Sequence, residues 1–172
     1  MKIKILPTLL VFIFIIVFLV FYKGLQTSSI YTPNLNIKKN VPSFKTYLLG
    51  TRDRISSAQI FDSDDFYLMN IWASWCLPCR EEHFFLMNLS ENKNIIIIGL
   101  NYKDKFINAK NFINELGNPY SVSLEDKDGV ISIDWGAYGV PESFLIHNNK
   151  VIKKYIGPIN KEKFEEIKEI IK

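Results

Sequence analysis

Cysteine and histidine are scarce in these 172 residues, and the scarcity excludes several chemistries. Cys76 and Cys79 are the only cysteines, too few for the disulfide framework of a domain this size, so the pair is chemistry rather than scaffolding. A structural zinc asks for four ligands, and beyond the cysteines the chain offers only His83 and His147. Covalent haem attachment needs His directly after the second cysteine; Arg80 stands there, which rules it out. Excess charge is missing as well. The formal +3 is accounted for by Lys2, Lys4 and Lys23, so residues 24–172 are neutral and have no bulk electrostatic reason to bind nucleic acid or anionic lipid. Internal repeats and low-complexity tracts are absent, and a 48% hydrophobic composition is ample for a packed core rather than a disordered chain.

What the chain does have begins with a long apolar run. Ile5 to Tyr22 contains Thr8 as its only polar side chain and follows a short basic start. As a helix it would span roughly 27 Å, close to a bilayer's hydrocarbon core. A cleaved signal peptide shares this pattern, but the run exceeds the usual signal h-region, and no Ala-x-Ala-like site follows in Tyr22-Lys23-Gly24-Leu25-Gln26. The expectation is an uncleaved signal anchor at residues 1–22, with the basic terminus cytoplasmic and the remainder across the membrane, although Lys23 weakens the charge asymmetry. Residues 23–42, rich in turn formers and without periodicity, read as a tether, leaving 43–172 as the folded domain.

Within that domain Ser43 to Leu49 suggests a first strand and Ser56 to Phe61 a short strand or turn. Phe66 to Trp72 reads as a buried strand, and a helix is expected over Glu81–Asn92, with Phe84, Phe85, Leu86, Met87 and Leu89 as core. Ile95-Ile96-Ile97-Ile98-Gly99-Leu100 has the composition of a central strand covered on both faces. A helix over Asn108–Leu116 stops at Gly117-Asn118-Pro119, Tyr120–Leu124 alternates as a strand, and Asp126–Gly129 is a turn rather than half a calcium loop. Ser143–His147 and Lys150–Ile156 form a hairpin through Asn148-Asn149. An amphipathic helix from Asn160 to the end turns Phe164, Ile167, Ile170 and Ile171 inward. Strands alternating with helices and ending in a hairpin imply an α/β domain with a mixed sheet.

The chemistry concentrates in Trp72-Ala73-Ser74-Trp75-Cys76-Leu77-Pro78-Cys79-Arg80-Glu81-Glu82-His83, where a Cys-x-x-Cys pair lies between the apolar strand and the helical pattern. Unpaired N–H groups and the macrodipole at a helix N-terminus favour a thiolate over a thiol. The thiolate is the attacking species, so the context argues for disulfide exchange. This block, together with Gly99-Leu100-Asn101-Tyr102-Lys103-Asp104, Gly117-Asn118-Pro119-Tyr120 and Gly136-Ala137-Tyr138-Gly139-Val140-Pro141-Glu142-Ser143, resembles the thioredoxin superfamily, and within it the membrane-tethered CcmG/DsbE-type thiol:disulfide interchange proteins of cytochrome c maturation.

The resemblance covers residues 40–172. It implies a thioredoxin-like fold, a central mixed sheet flanked by helices and preceded by one transmembrane helix. Cys76 would be the exposed nucleophile and Cys79 the shielded thiol that resolves the mixed disulfide. Trp75, Tyr138, Val140 and Pro141 would form the substrate surface, with Pro141 after a cis peptide bond. Thioredoxins keep a buried carboxylate six residues before the first cysteine; here that position is Asn70, which cannot take a proton from Cys79. Glu82 and Glu142 match acidic positions of the family and are the candidates to tune the thiols.

No metal or organic cofactor is implied beyond the redox-active cysteine pair. The implied partners are a transmembrane thiol reductase as electron donor and apocytochrome c, or the haem-ligation proteins that hold it, as acceptor. The implied site is the periplasmic face of the inner membrane, held there by the N-terminal helix. Two other readings stay open: a reductant of different extracytoplasmic proteins, in oxidase assembly or sporulation, and a copper metallochaperone using Cys76, Cys79 and His83.

Overall fold

The computed structural model describes residues 5–26 and 40–172, which fall into two units, Met1–Leu35 and Asn36–Lys172. In the first, α1 (Ile5–Gln26) is one unbroken helix, about 33 Å long at about 1.5 Å per residue. Its side chains are described at residues 7 and 9–24, and those from Leu9 to Tyr22 are apolar and exposed. That described stretch is shorter than a span: among the described residues no helix is long and apolar enough to cross a membrane.

The second unit is built on β3 (Phe66–Trp72), from which the Cys-x-x-Cys loop emerges. Its neighbours are β4 (Ile95–Tyr102), running parallel, and β6 (Glu142–His147), running antiparallel. β5 (Val122–Asp126) lies outside β4 and β7 (Lys150–Ile156) outside β6, giving the order β5-β4-β3-β6-β7 in a mixed sheet. A separate hairpin pairs β1 (Lys45–Tyr47) with β2 (Arg54–Ser56). The helices of this unit are α2 (Ser57–Ile60), α3 (Leu77–Ser90), α4 (Phe106–Leu116), α5 (Val130–Asp134) and α6 (Lys161–Ile170).

Side chains on a strand alternate between faces, and β3 is buried on both. Leu68 and Trp72 pack with Ile97 and Leu145 against Leu86 and Leu89 of α3, Phe112 of α4 and Ile167 of α6. Tyr67, Met69 and Ile71 face the other way, with Ile98, Leu100 and Phe144, toward Phe44, Phe61, Ile131 and Trp135. Asn70 shares the parity of Leu68 and Trp72. A polar side chain therefore points into the layer that α3 covers, and that parity places the site.

The expected mixed α/β architecture and its hairpin are present, and the differences have local causes. Ser56 does not begin a strand or turn. It ends β2 and caps α2, donating from its backbone N–H to Gln59 Oε1 at 3.0 Å, which starts a helical turn. Beyond the Asp126–Gly129 turn lies the unexpected α5, nucleated because the buried Asp126 carboxylate accepts from the Ile131 and Ser132 N–H groups. Tyr120 precedes β5 instead of joining it, because its N–H is taken by Asn118 Oδ1 at 3.1 Å. Phe84 and Ile170, expected in the core, are exposed at 69% and 37%.

Gly99 pairs with Asn70 across β3 and β4, and its bare backbone lies against the Tyr120 ring. A Cβ there would meet Tyr120 Cγ at 2.7 Å, and the ring has nowhere to retreat because it stacks on Trp72 with centroids 5.4 Å apart. Gly99→Ala is expected to destabilise the fold by about 1–3 kcal/mol through overpacking. The urea midpoint of unfolding measures this, and an unchanged midpoint would contradict the packing described.

Candidate active site

Cys76 and Cys79 are joined by a disulfide. Cys76 is the N-cap of α3: its backbone is extended, and its sulfur accepts from the Cys79 N–H at 3.1 Å. Pro78 occupies the first turn, where its missing N–H leaves no helical bond unmade. The helix N-terminus expected under the dithiol is therefore present. The expected difference in exposure is not, since Cys76 is only 4% exposed and Cys79 2%. Bonded to each other at the head of a packed helix, both sulfurs are covered. Exposure belongs instead to their neighbours Trp75, at 59%, and Leu77, at 68%.

The loop entering the helix is held from β4. Asp104 accepts from the Ser74 backbone N–H at 2.6 Å and from the Ser74 hydroxyl at 2.8 Å, while Asn101 donates to the same carboxylate. Trp75 Nε1 donates to the Lys103 carbonyl at 3.2 Å. The Asn101–Asp104 segment thus fixes the cysteine loop and presents Trp75 to solvent. In the sequence this block only carried part of the family resemblance, and Asp104 had no task.

One turn along α3 from Cys79 lies Glu82, 1% exposed. Its carboxylate accepts from Asn70 Nδ2 at 2.9 Å on one oxygen and from the Ile159 N–H at 2.7 Å on the other. Asn70 is itself fully buried, donates also to Ser143 Oγ at 3.0 Å, and accepts from the Tyr120 hydroxyl at 2.9 Å. Burial pushes the Glu82 pKa up to about 7, against the pull of these two donors and of the Lys163 charge. Burial and the nearby Glu82 charge raise the Tyr120 phenol well above its ordinary value, so it remains a donor. Asn70 and Glu82, singled out separately in the sequence, are in direct contact. Ser143, Tyr120 and Ile159 complete a network that residue types alone did not reveal.

Glu142 has a different setting. Its register partner on β3 is Ile71, which places Val140–Pro141 at the end of β3 where the cysteine loop begins. The Val140–Pro141 peptide bond is cis, as expected. Glu142 Oε1 accepts from the Tyr138 and Gly139 N–H groups at 2.8 and 3.2 Å. Lys154 Nζ lies 2.6 Å from Oε2, an ion pair whose angle is not that of a hydrogen bond, and also donates to the Gly136 carbonyl at 2.8 Å. The same ammonium sits 4.5 Å from the centre of the Tyr138 ring, which is 61% exposed. The buried pair fastens the 136–141 loop and supports Tyr138 from behind. Lys154 was not singled out from sequence because nothing in an alternating strand marks which lysine turns inward.

His83 is buried, its Nε2 is 3.0 Å from the Gly117 carbonyl, and burial holds its pKa below the ordinary value. Its ring meets Phe112 edge to face, and no cluster of three His, Cys, Asp or Glu side chains suited to a metal occurs among the described residues. Arg80 pairs in bidentate fashion with Glu115 at the surface.

Two measurements separate these carboxylates. Lys154→Met would leave Glu142 charged and unpaired in the interior and is expected to cost about 3–5 kcal/mol, whereas Arg80→Met at the exposed pair should cost under about 1 kcal/mol. Comparable losses in denaturant unfolding would refute the assignment of the buried pair as structural. For Glu82, the folded carboxyl holds its proton up to about pH 7 while the unfolded one releases it near 4.5. Stability is therefore full below about pH 4.5 and falls by about 3 kcal/mol as pH rises through 7. Glu82→Gln sets two amide hydrogens among existing donors and so lowers stability at every pH, but it should flatten this slope in the oxidised protein. A slope that survives the substitution would assign it elsewhere.

Residues 37–171 match the family described as Redoxin. The chain is 40% identical over 131 residues to the thiol:disulfide interchange protein DsbE of Escherichia coli K12, covering 76% of this chain and 70% of that one. It is 47% identical over 92 residues to the thiol:disulfide interchange protein CycY of Rhizobium leguminosarum bv. viciae, covering 53% and 50%. In three dimensions it is similar to a thiol:disulfide interchange protein of the thioredoxin family from Chlorobium tepidum. The TM-score is 0.64 at 23% identity, over 78% of this chain and 96% of that one, a likeness of fold.

Proposed function

This chain belongs to the redoxin family, among thiol:disulfide interchange proteins of the DsbE type, and has thiol:disulfide oxidoreductase activity; on that premise we propose that it is a membrane-anchored periplasmic reductant serving cytochrome c maturation. The observation that carries the proposal is the buried Glu82, hydrogen-bonded to Asn70 and one turn from Cys79. A reductant must deprotonate its second thiol inside a closed mixed disulfide, and Glu82 is a buried base whose pKa, about 7, suits that transfer.

In the reduced protein, Cys76 as thiolate attacks a partner disulfide. One partner sulfur joins Cys76 and the other leaves as a thiolate that takes a proton from water. Cys79 then gives its proton to Glu82, and its sulfur attacks Cys76, forming the Cys76–Cys79 bond and expelling the second partner sulfur as a thiolate that takes up the proton released by Glu82. The partner gains two electrons and two protons, and the pair is oxidised. The couple is complete in the two cysteines and asks for no cofactor. Trp75, Tyr138, Val140 and Pro141 serve as the surface on which an extended partner segment lies, and Glu142 holds that surface through its bonds to the Tyr138 and Gly139 N–H groups.

Electrons reach the pair from a transmembrane thiol reductase, and the acceptor is the Cys-x-x-Cys-His segment of apocytochrome c or a haem-ligation protein that holds it. Residues 1–22 are the anchor in the inner membrane, 23–42 the tether and 43–172 the catalytic domain; the exposed apolar side chains from Leu9 to Tyr22 support this reading. His83 is buried with its Nε2 3.0 Å from the Gly117 carbonyl, which leaves only its Nδ1 to the copper-carrier alternative.

Trapping with Cys79→Ser tests the proposal, because the mixed disulfide on Cys76 can then no longer be resolved. Apocytochrome c or haem-ligation proteins are expected in the trapped set; a set without them would remove the cytochrome assignment while leaving the exchange activity intact. The potential of the pair is expected near the thioredoxin value of about −270 mV, and one near about −120 mV would make the protein an oxidant. Glu82→Gln is expected to slow resolution of the mixed disulfide on Cys76, read by stopped-flow as the release of the second partner thiol, and an unchanged rate would remove Glu82 as the proton acceptor.

A further inference from the structure

An asparagine side chain has a donor end and an acceptor end, and which end faces Glu82 decides whether the carboxylate is welcomed or repelled. Ser143 does not oppose turning the amide over, because its hydroxyl accepts an Asn70 amide hydrogen in this orientation and would donate to the amide oxygen in the other. Tyr120 does. Its hydroxyl has Asn70 Oδ1 as its partner, 2.9 Å away, and its raised pKa keeps the proton on the oxygen. Were the amide turned over, that proton would face the Asn70 NH2 group and lose its acceptor in the core, at the cost of an unsatisfied buried donor. The ring that carries the hydroxyl is held on three sides. It lies on the bare backbone of Gly99, stacks on Trp72, and is fixed at its own backbone by Asn118 Oδ1.

We propose that Tyr120 is a positioning residue for the thiol chemistry: by locking the Asn70 amide with its N–H toward Glu82, it sets the pH at which that carboxyl exchanges its proton. The inference rests on Glu82 as the proton acceptor of Cys79. The other groups around Glu82 do not duplicate this task. Lys163 of α6 favours the carboxylate through charge alone, the Ile159 N–H binds the opposite oxygen whichever way Asn70 points, and Cys79 on α3 is the proton's source. Asn70 and Ser143 in the sheet carry no charge.

The test reads Glu82 itself. In the full-length oxidised protein in detergent, carbon-13 NMR of the Glu82 carboxyl gives its titration midpoint. Tyr120→Phe, which removes one oxygen and keeps the ring, is expected to raise that midpoint by about one pH unit, as the loss of one oriented hydrogen bond to a charged group implies. Ser143→Ala should leave it in place. An unmoved midpoint in Tyr120→Phe, or equal movement in both variants, would overturn the proposal, the second result meaning a general loosening of the core. Should the phenylalanine variant fail to fold, 3-fluorotyrosine placed at 120 alone provides the opposite change. Its more acidic phenol should lower the midpoint, and no lowering would be decisive against the proposal. Failure of Glu82 as proton acceptor shows separately, as a rate of mixed-disulfide resolution on Cys76 indifferent to Glu82→Gln.

Discussion

The hydrogen bond between Asn70 and Glu82 is the constraint around which the rest of the domain is arranged. A carboxyl group in a dry core is costly unless donors meet it, and donors that could themselves ionise would compete with it for protons. An amide meets both needs: it stabilises the carboxylate and takes no charge. The donor sits at the middle of the most buried strand, and the acid sits on the helix the disulfide caps. Each is therefore held by an element with little freedom to move.

Other features follow from that placement. Gly99, in register with Asn70, leaves room for the Tyr120 ring, and the ring brings a hydroxyl to the far side of the amide. Ile159, in the connection between β7 and α6, supplies the second donor, so the last strand and helix are tied to the redox site by a backbone N–H. The two glutamates divide the work. Glu82 meets neutral donors and has a proton affinity near neutrality; Glu142 meets a lysine at 2.6 Å and two loop N–H groups, a setting that fixes a surface. Sequence reading treated them as equivalent candidates because both match acidic positions of the family the chain resembles.

What was legible in the sequence is what depends on local pattern. The four isoleucines of β4 announced a strand covered on both faces, Asn148-Asn149 announced the β6–β7 hairpin, and Cys-x-x-Cys after β3 placed the dithiol at a helix start. Three kinds of feature were hidden. Short elements nucleated by one side chain, such as α2 under Ser56 and α5 over Asp126, carry no periodicity. The direction of a single side chain, as at Phe84 or Lys154, depends on which face a neighbouring element covers. A hydrogen bond across 50 positions, from Tyr120 to Asn70, exists only once β3, β4 and the segment leading into β5 lie side by side.

Asn70 gains its meaning from that assembly. Read in the sequence, it is the loss of an acid from the strand before the cysteines. In the folded chain the acid has moved one layer outward, onto α3, and the strand position has become its donor. The rearrangement changes what the site can respond to. A carboxyl fixed in the strand would depend mainly on its burial, whereas Glu82 meets an amide that accepts from a phenol on one side and donates to a serine on the other. Proton affinity beside the disulfide is thereby linked to the packing of residues in β3, α3, β6 and the segment before β5. A substitution among them can alter the chemistry without touching a sulfur.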